Sequence, residues 1–318
     1  STTNHGGIDE INLTGNNFAN VVIGNAAKNV LDGGTGADIL QGLGGGDFYL
    51  VDADDQVYEA AGGGYDNVLA RTDYVLTAGS SVEVLSTTSH SGNDPLRLTG
   101  NELGQIVIGN AGDNYLDGGG GADILQGLGG GDFYFVDSDD QVIEDNSVGY
   151  DNVLARTNFV LTAGAYVEVL STTDHGGSAA INLTGNERAQ VVIGNAGANV
   201  LDGRFGDDVL QGLGGADTFA FTTAVVGPDN IDTIVDFVSG TDKIALDDAV
   251  FTGLTPGALP AGAFVTGTAA LDTSDRIIYD SATGALYFDA DGLGGVAMVQ
   301  FATLTGHPVV VASDFTVI

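Results

Sequence analysis

Apolar residues in this chain recur on a nine-residue beat. The segments GNAAKNVLD, GGTGADILQ and GLGGGDFYL run from Gly24 to Leu50 and place Leu31, Leu40 and Tyr49 at position eight; the degenerate segment Gly15–Ile23 before them does the same with Val22. A short strand at the end of each beat points one side chain inward, and the glycines that open the beat permit turn conformations closed to other residues. Nine residues make half a coil, so beats i and i+2 stack on one edge. The beats return as GNAGDNYLD, GGGGADILQ, GLGGGDFYF over Gly109–Phe135 and as GNAGANVLD, GRFGDDVLQ, GLGGADTFA over Gly194–Ala220. Self-similarity at a fixed period predicts a solenoid. The expectation is an all-β, right-handed parallel β-roll or β-solenoid of three 85-residue repeats, about 1–85, 86–170 and 171–222, followed by a β-rich C-terminal cap over 223–318.

The beat extends beyond its glycine-rich core. Val51–Glu59 continues it, Ala61–Leu69 restores Asp66 at position six and Val68 at position eight, and Arg71–Ser86 reads as two strands around Ala78-Gly79. Ser1-Thr2-Thr3-Asn4-His5 matches Ser86–His90 and Ser171–His175, so the chain is expected to open inside a repeat and to derive from a longer protein. After Pro228 the period is lost. Arg276–Asp289 reads as a hairpin turning at Ala282-Thr283-Gly284, and Asp289–Gly292 fits either an Asx turn or a further cation loop.

Composition narrows the chemistry. Forty-three acidic residues against eight basic ones give a net charge of −35, which repels nucleic acid and anionic lipid. With 43% hydrophobic residues the chain is too apolar for an acidic disordered tail, so a counter-cation is the simplest resolution. Cysteine is absent, leaving Asp, Asn and backbone carbonyls as donors, which suit a hard cation. No apolar run is long enough to span a membrane, and the N-terminus lacks the pattern of a cleaved signal peptide.

Stacked turns bring two position-six side chains and the turn carbonyls around one cavity of oxygens, a cage suited to calcium. In the first copy one edge offers Asn20, Asp38 and Asp52 with Asp54, and the other offers Asn29, Asp47 and Asp66, with turn glycines Gly33, Gly36 and Gly42. The second copy offers Asp123 with Asp137 and Asp139, Asn114, and Asp132 with Asp151, on turns containing Gly118, Gly121 and Gly127. The third offers Asn199 with Asp217, and Asp208, on Gly203, Gly206 and Gly212; Asp236 and Asp242 complete the set of metal candidates. Asn makes the early cages less anionic, and these are expected to be weaker or empty.

The nonapeptides resemble the RTX (repeats-in-toxin, hemolysin-type) calcium-binding family. That resemblance implies a parallel β-roll holding several calcium ions, unfolded where calcium is scarce, and exported through type I secretion machinery to the outside or surface of a Gram-negative bacterium. The ending Asp314–Ile318 is similar to the acidic-then-apolar C-termini of type I substrates, and Asp232–Phe237 with Gly240–Ile244 resembles the segment that closes such rolls. Rival chemistries find less support. No HExxH, GxSxG or P-loop motif occurs, so no enzyme is expected in this chain, with any catalytic domain upstream. His5, His90 and His175 share one phase of the repeat and read as loop residues; Arg71 and Arg156 are candidates for ion pairs with Glu83 and Glu168. Three functions follow: a calcium-binding module at the C-terminal end of a larger secreted protein; a self-associating adhesin, surface-layer or matrix repeat; or a polysaccharide-binding module of a polysaccharide-active enzyme.

Overall fold

The computed structural model describes residues 1–146 and 149–318. It divides into two units, Ser1–Val153 and Leu154–Ile318. In the first unit the strands Ile11–Asn16, Asn29–Gly34, Phe48–Val51, Asn67–Ala70, Val84–Thr87, Ile106–Ile108, Ile124–Gln126 and Gln141–Ile143 form one eight-stranded sheet. Their pairings are parallel, as Val30↔Phe48, Phe48↔Asn67 and Ile106↔Ile124 illustrate. The intervening beats supply further walls: Val21–Ile23, Ile39–Gln41 and Gln56–Val57 pair in parallel, as do Tyr74–Val75, Arg97–Thr99, Tyr115–Asp117 and Phe133–Val136. Consecutive beats therefore alternate between walls, and like beats pair two apart, as in Val21↔Ile39 and Leu13↔Leu31.

Position eight fills the interior. Leu31, Leu40, Tyr49 and Val68 are fully buried, and Val22 nearly so. Burial alternates along Asn29–Gly34, Phe48–Val51 and Asn67–Ala70, as the two-residue period of side chains requires, whereas Val84–Thr87 is buried throughout. Parallel coils leave no room for helix, and only two short 3-10 turns occur among the described residues.

The second unit has the same plan. One sheet runs Phe159–Val160, Leu183–Thr184, Val200–Asp202, Thr218–Phe221, Lys243–Leu246 and Phe315–Val317, all parallel, with Gly257–Ala258 antiparallel at its edge. Another wall carries Val169–Thr172, Val191–Ile193, Val209–Gln211, Asp232–Ile234 and Val299–Leu304 in parallel. Coiling thus continues past the last nonapeptide even though the nine-residue period does not. Antiparallel strands Ile277–Asp280 and Ala285–Phe288 then follow, turning through Gly284 at φ +78°. Phe251 packs edge-on against Phe288 and Phe301, at 5.1 Å from each, forming an aromatic core for this closing segment. In the strand Phe315–Val317, Phe315 and Val317 are buried, Phe315 contacting Phe264 at 5.5 Å.

Candidate metal centre

Where a glycine turn ends in aspartate at position six, the carboxylate reaches back to the coil before it. Asp38 accepts the Asn20 N–H through Oδ1 at 2.6 Å, and Asp47 accepts the Asn29 N–H at 2.7 Å, both across 18 residues. The contact repeats from coil to coil. Asp38 N–H donates to Asp55 (3.0 Å), Asp47 N–H to Asp66 (2.7 Å) and Asp66 N–H to Glu83 (2.7 Å). Further along the first unit Gln105 donates to Asp123, which donates to Asp140, while Asn114 donates to Asp132, which donates to Asp151. In the second unit the ladders are Gln190, Asp208, Asp232 and Asn199, Asp217, Asp242.

These contacts use one carboxylate oxygen and leave the other. Oδ2 of Asp38, Asp47, Asp66, Asp123, Asp132 and Asp208 is buried with no hydrogen-bond partner. Five of them, on Asp38, Asp47, Asp123, Asp132 and Asp208, lie over their own turn glycine: a Cβ on Gly33, Gly42, Gly118, Gly127 or Gly203 would meet Oδ2 at 1.8–2.3 Å, and one on Gly212 would meet Asp217 Oδ2 at 2.2 Å. Glycine at position one is therefore required by the carboxylate's place. Gly36, Gly121 and Gly206, at position four, hold φ of +113°, +101° and +113° and reverse the turn.

Burial without a counter-charge is reflected in the titration of Asp47, Asp66, Asp123, Asp132 and Asp208. Desolvation, opposed in part by the backbone N–H, pushes Asp47 and Asp217 up to about 6 and Asp123 and Asp132 to about 7. Asp66 and Asp232 likewise reach about 7, and Asp208 about 8, with Asp232 the second cause of the Asp208 shift. A hard cation relieves the same penalty by supplying the missing charge and partner, so the donor set fits calcium.

The sequence-derived candidates fall into distinct places. Asp38, Asp47, Asp66, Asp123, Asp132, Asp151, Asp208, Asp217 and Asp242 are ladder rungs. Asn29, Asn114 and Asn199 head their ladders with both ends of the amide engaged: Asn29 Oδ1 accepts the Asn25 N–H and its Nδ2 donates to Asn25 Oδ1, and the other two repeat this with Asn110 and Asn195. Asn20 accepts the Asn16 N–H through Oδ1. Asp52 and Asp54 lie in a turn in which Asp55 holds the rung, and Asp55 Oδ2 accepts the Asp52 N–H at 2.9 Å. Asp137 and Asp139 stand in the same relation to Asp140. Asp236 accepts the N–H groups of Gly212 and Leu213.

Sequence counting did not single out Asp55, Asp140, Glu83 or Asp232, nor two buried glutamates. Glu59 lies with Asp47 and Asp66, and Glu144 with Asp132 and Asp151, their carboxylate oxygens within 4.8 Å of one another. Burial first, and then Asp151 and Asp132 against the opposing Tyr134 hydrogen bond, take Glu144 to about 8. Elsewhere Arg71 pairs with Asp32, at 3.0 and 2.7 Å, rather than with Glu83, whose carboxylate is taken by the ladder. His90 and His175 bond Ser86 and Ser171 at 2.8 and 2.7 Å in loops. Asp289 accepts the N–H groups of Asp291 and Gly292, an Asx turn.

The family model of the RTX calcium-binding nonapeptide repeat (4 copies) matches residues 14–49, 99–134 and 184–219. These segments contain the glycine turns and the first rungs of every ladder. No curated protein matches the chain.

Proposed function

The chain is an RTX repeat protein that binds calcium, and from that premise we propose that calcium is what folds it after export. The carrying observation is the set of six buried carboxylate oxygens with no partner. An unmet buried polar group costs about 1–3 kcal/mol, and more when charged. Six amount to roughly 6–18 kcal/mol, as large as the ~5–15 kcal/mol by which folded domains are usually stable. Without a cation at neutral pH the coils have no margin, and with one the penalty becomes binding energy, so metal binding is folding free energy.

In this reading the ladder aspartates Asp38, Asp47, Asp66, Asp123, Asp132, Asp151, Asp208, Asp217 and Asp242 are the ligands, with the glycine turns supplying carbonyls. Residues 1–222 are the calcium-binding roll, and 223–318 close it and carry the export signal. The chain remains unfolded in the low calcium of the cytoplasm, passes a type I exporter as an extended polymer, and coils in the higher calcium outside a Gram-negative cell. The repeat solenoid is a structural fold, and any catalytic activity belongs to a separate domain. Among the described residues no helix is long and apolar enough to cross a membrane.

The test is circular dichroism of the whole chain stripped of metal and titrated with calcium, with magnesium as control. Disorder that converts to β structure at roughly 0.1–1 mM calcium, the range of extracellular modules, is the expected outcome. Full β structure in metal-free buffer at pH 7.5 would overturn the folding switch and favour a self-sufficient structural repeat.

A further inference from the structure

Two buried clusters depart from the plain ladder. In Gly42–Leu50 position eight is Tyr49, fully buried, where neighbouring beats have leucine. Its hydroxyl accepts the Gly42 N–H at 2.8 Å and donates to Glu59. Glu59 arrives there by register: Ile39 pairs with Gln56 and Leu40 with Val57, which sets Glu59 level with Gly42, and its carboxylate lies where a Cβ on Gly63 would meet Oε1 at 2.4 Å. The second cluster repeats each feature, with Tyr134 accepting the Gly127 N–H at 2.9 Å and donating to Glu144, beside Asp132 and Asp151. Asp47, Asp66 and Asp132 each aim a buried, partnerless Oδ2 into these clusters.

The second unit contains a natural control. There position eight is Phe219, which has no hydroxyl, and the acid beside Gly212 is Asp236. Asp236 spends its two oxygens on the N–H groups of Gly212 and Leu213, at 3.0 and 2.8 Å. Tyrosine thus does a specific job in the first unit. It takes over the glycine N–H and one glutamate oxygen, the other accepting the N–H of the next residue, Ala60 at 3.0 Å and Asp145 at 3.1 Å, and so holds a third carboxylate among the ladder aspartates rather than on the turn N–H groups.

We propose that Asp47, Glu59 and Asp66, and likewise Asp132, Glu144 and Asp151, form two three-carboxylate cation sites, positioned by Tyr49 and Tyr134, that fill before every other step of the ladders. This rests on the reading of the ladder aspartates as calcium ligands and adds a second class of site to it. Three carboxylates give a formal charge of −3, against −2 for a step built from two aspartates, and Tyr fixes the glutamate before the ion arrives. A divalent ion leaves one negative charge uncompensated and a trivalent lanthanide of calcium's size leaves none, so these sites prefer lanthanides to calcium. Magnesium, which demands a small octahedron and releases water reluctantly, is disfavoured.

Terbium luminescence excited through tyrosine tests this on the full chain, which has no tryptophan to compete as sensitiser. The parent protein is expected to give an early phase of sensitised emission saturating at two ions, displaced by calcium. In Glu59→Gln/Glu144→Gln that phase weakens at least tenfold and the tight stoichiometry, counted by equilibrium dialysis, falls by two. Tyr49→Phe/Tyr134→Phe retains the carboxylates and folds with calcium, but loses most of the early emission. Glutamine variants that bind calcium with the parent's stoichiometry and order would overturn the proposal while leaving the calcium module intact, as would unchanged early emission in the phenylalanine variants. A parent chain that binds no calcium would instead sink the reading beneath it.

Discussion

Removing calcium should reverse the pH dependence of stability. In the metal-free fold the Asp208 carboxyl, 1% exposed, is pushed from 3.8 to about 8, first by burial and then by Asp232. A rise of about four units at about 1.36 kcal/mol each is roughly 5–6 kcal/mol. Asp232, at about 7, interacts with Asp208, so the figure stands for the pair rather than for each member. The folded pKa lies above the unfolded one. This contribution is therefore fully present below about pH 4 and is lost as pH rises through about 8. One pair accounts for much of a typical domain's stability, and Asp66, Asp123, Asp132 and Glu144, raised to about 7 or 8, act in the same direction. Calcium replaces the protons and binds only the ionised carboxylates, so its stabilisation grows over the same interval. Thermal unfolding followed by circular dichroism from pH 5 to 8 checks both signs. Metal should be stripped by resin, because chelators weaken as they protonate. A metal-free midpoint that rises with pH would refute the reasoning.

Three further outcomes follow from local geometry. Leu43 and Leu128 hold left-handed φ of +84° and +83°, a conformation costing a non-glycine residue about 1–2 kcal/mol, so Leu43→Gly and Leu128→Gly should each raise the calcium-loaded unfolding free energy by about 1 kcal/mol in denaturant titrations. A loss of stability would mean that the half-buried leucine packing outweighs the strain. Arg71→Gln removes a bidentate but solvent-accessible pair with Asp32 and should cost less than about 1 kcal/mol, a difference that disappears at 1 M salt. Phe315→Ala should cost about 3–5 kcal/mol, because Phe315 is buried in the sheet beside Lys243–Leu246; an unchanged melt would place the terminal strand outside the cooperative unit. Deleting Asp314–Ile318 removes this strand together with any export signal, so secretion of that truncation has to be read alongside its folding.

The glycine-rich beats made the coil legible before any coordinates. Position eight gave the interior, and the pairing of Val21 with Ile39 is the two-beat stacking that nine residues per half coil require. Asp38, Asp47, Asp123 and Asp132 follow from the same count. Counting fails where a turn gains or loses a residue while the strands keep their pairing. The Asp38 to Asp55 step spans 17 residues and the Asp47 to Asp66 step 19, so strict counting puts Gln56 at position six and draws attention to Asp52 and Asp54. Strand hydrogen bonds set the register, and turns absorb the difference. Glu59 was hidden for the same reason, since its place beside Gly42 appears only once the slip is known. From Asp208 the next rung is Asp232, 24 residues on, where no period remains to count.

The asparagines show where a ladder ends. Asn114 stands where the next coil has Asp132, and an ionised acid there is the obvious way to lengthen the column. Its amide, however, accepts the Asn110 N–H at 2.6 Å and donates to Asn110 Oδ1 at 3.1 Å, with both asparagines buried. A carboxylate keeps the first bond and turns the second into an oxygen facing an oxygen. Asn114→Asp should therefore lower stability by about 1–3 kcal/mol with calcium present, with no gain in bound ions. Calorimetric titration decides it. One additional calcium, with stability restored, would mean that the amide merely lowers the charge of a site already built; an unchanged count would mean that asparagine is the cap that lets an acidic column stop inside the protein.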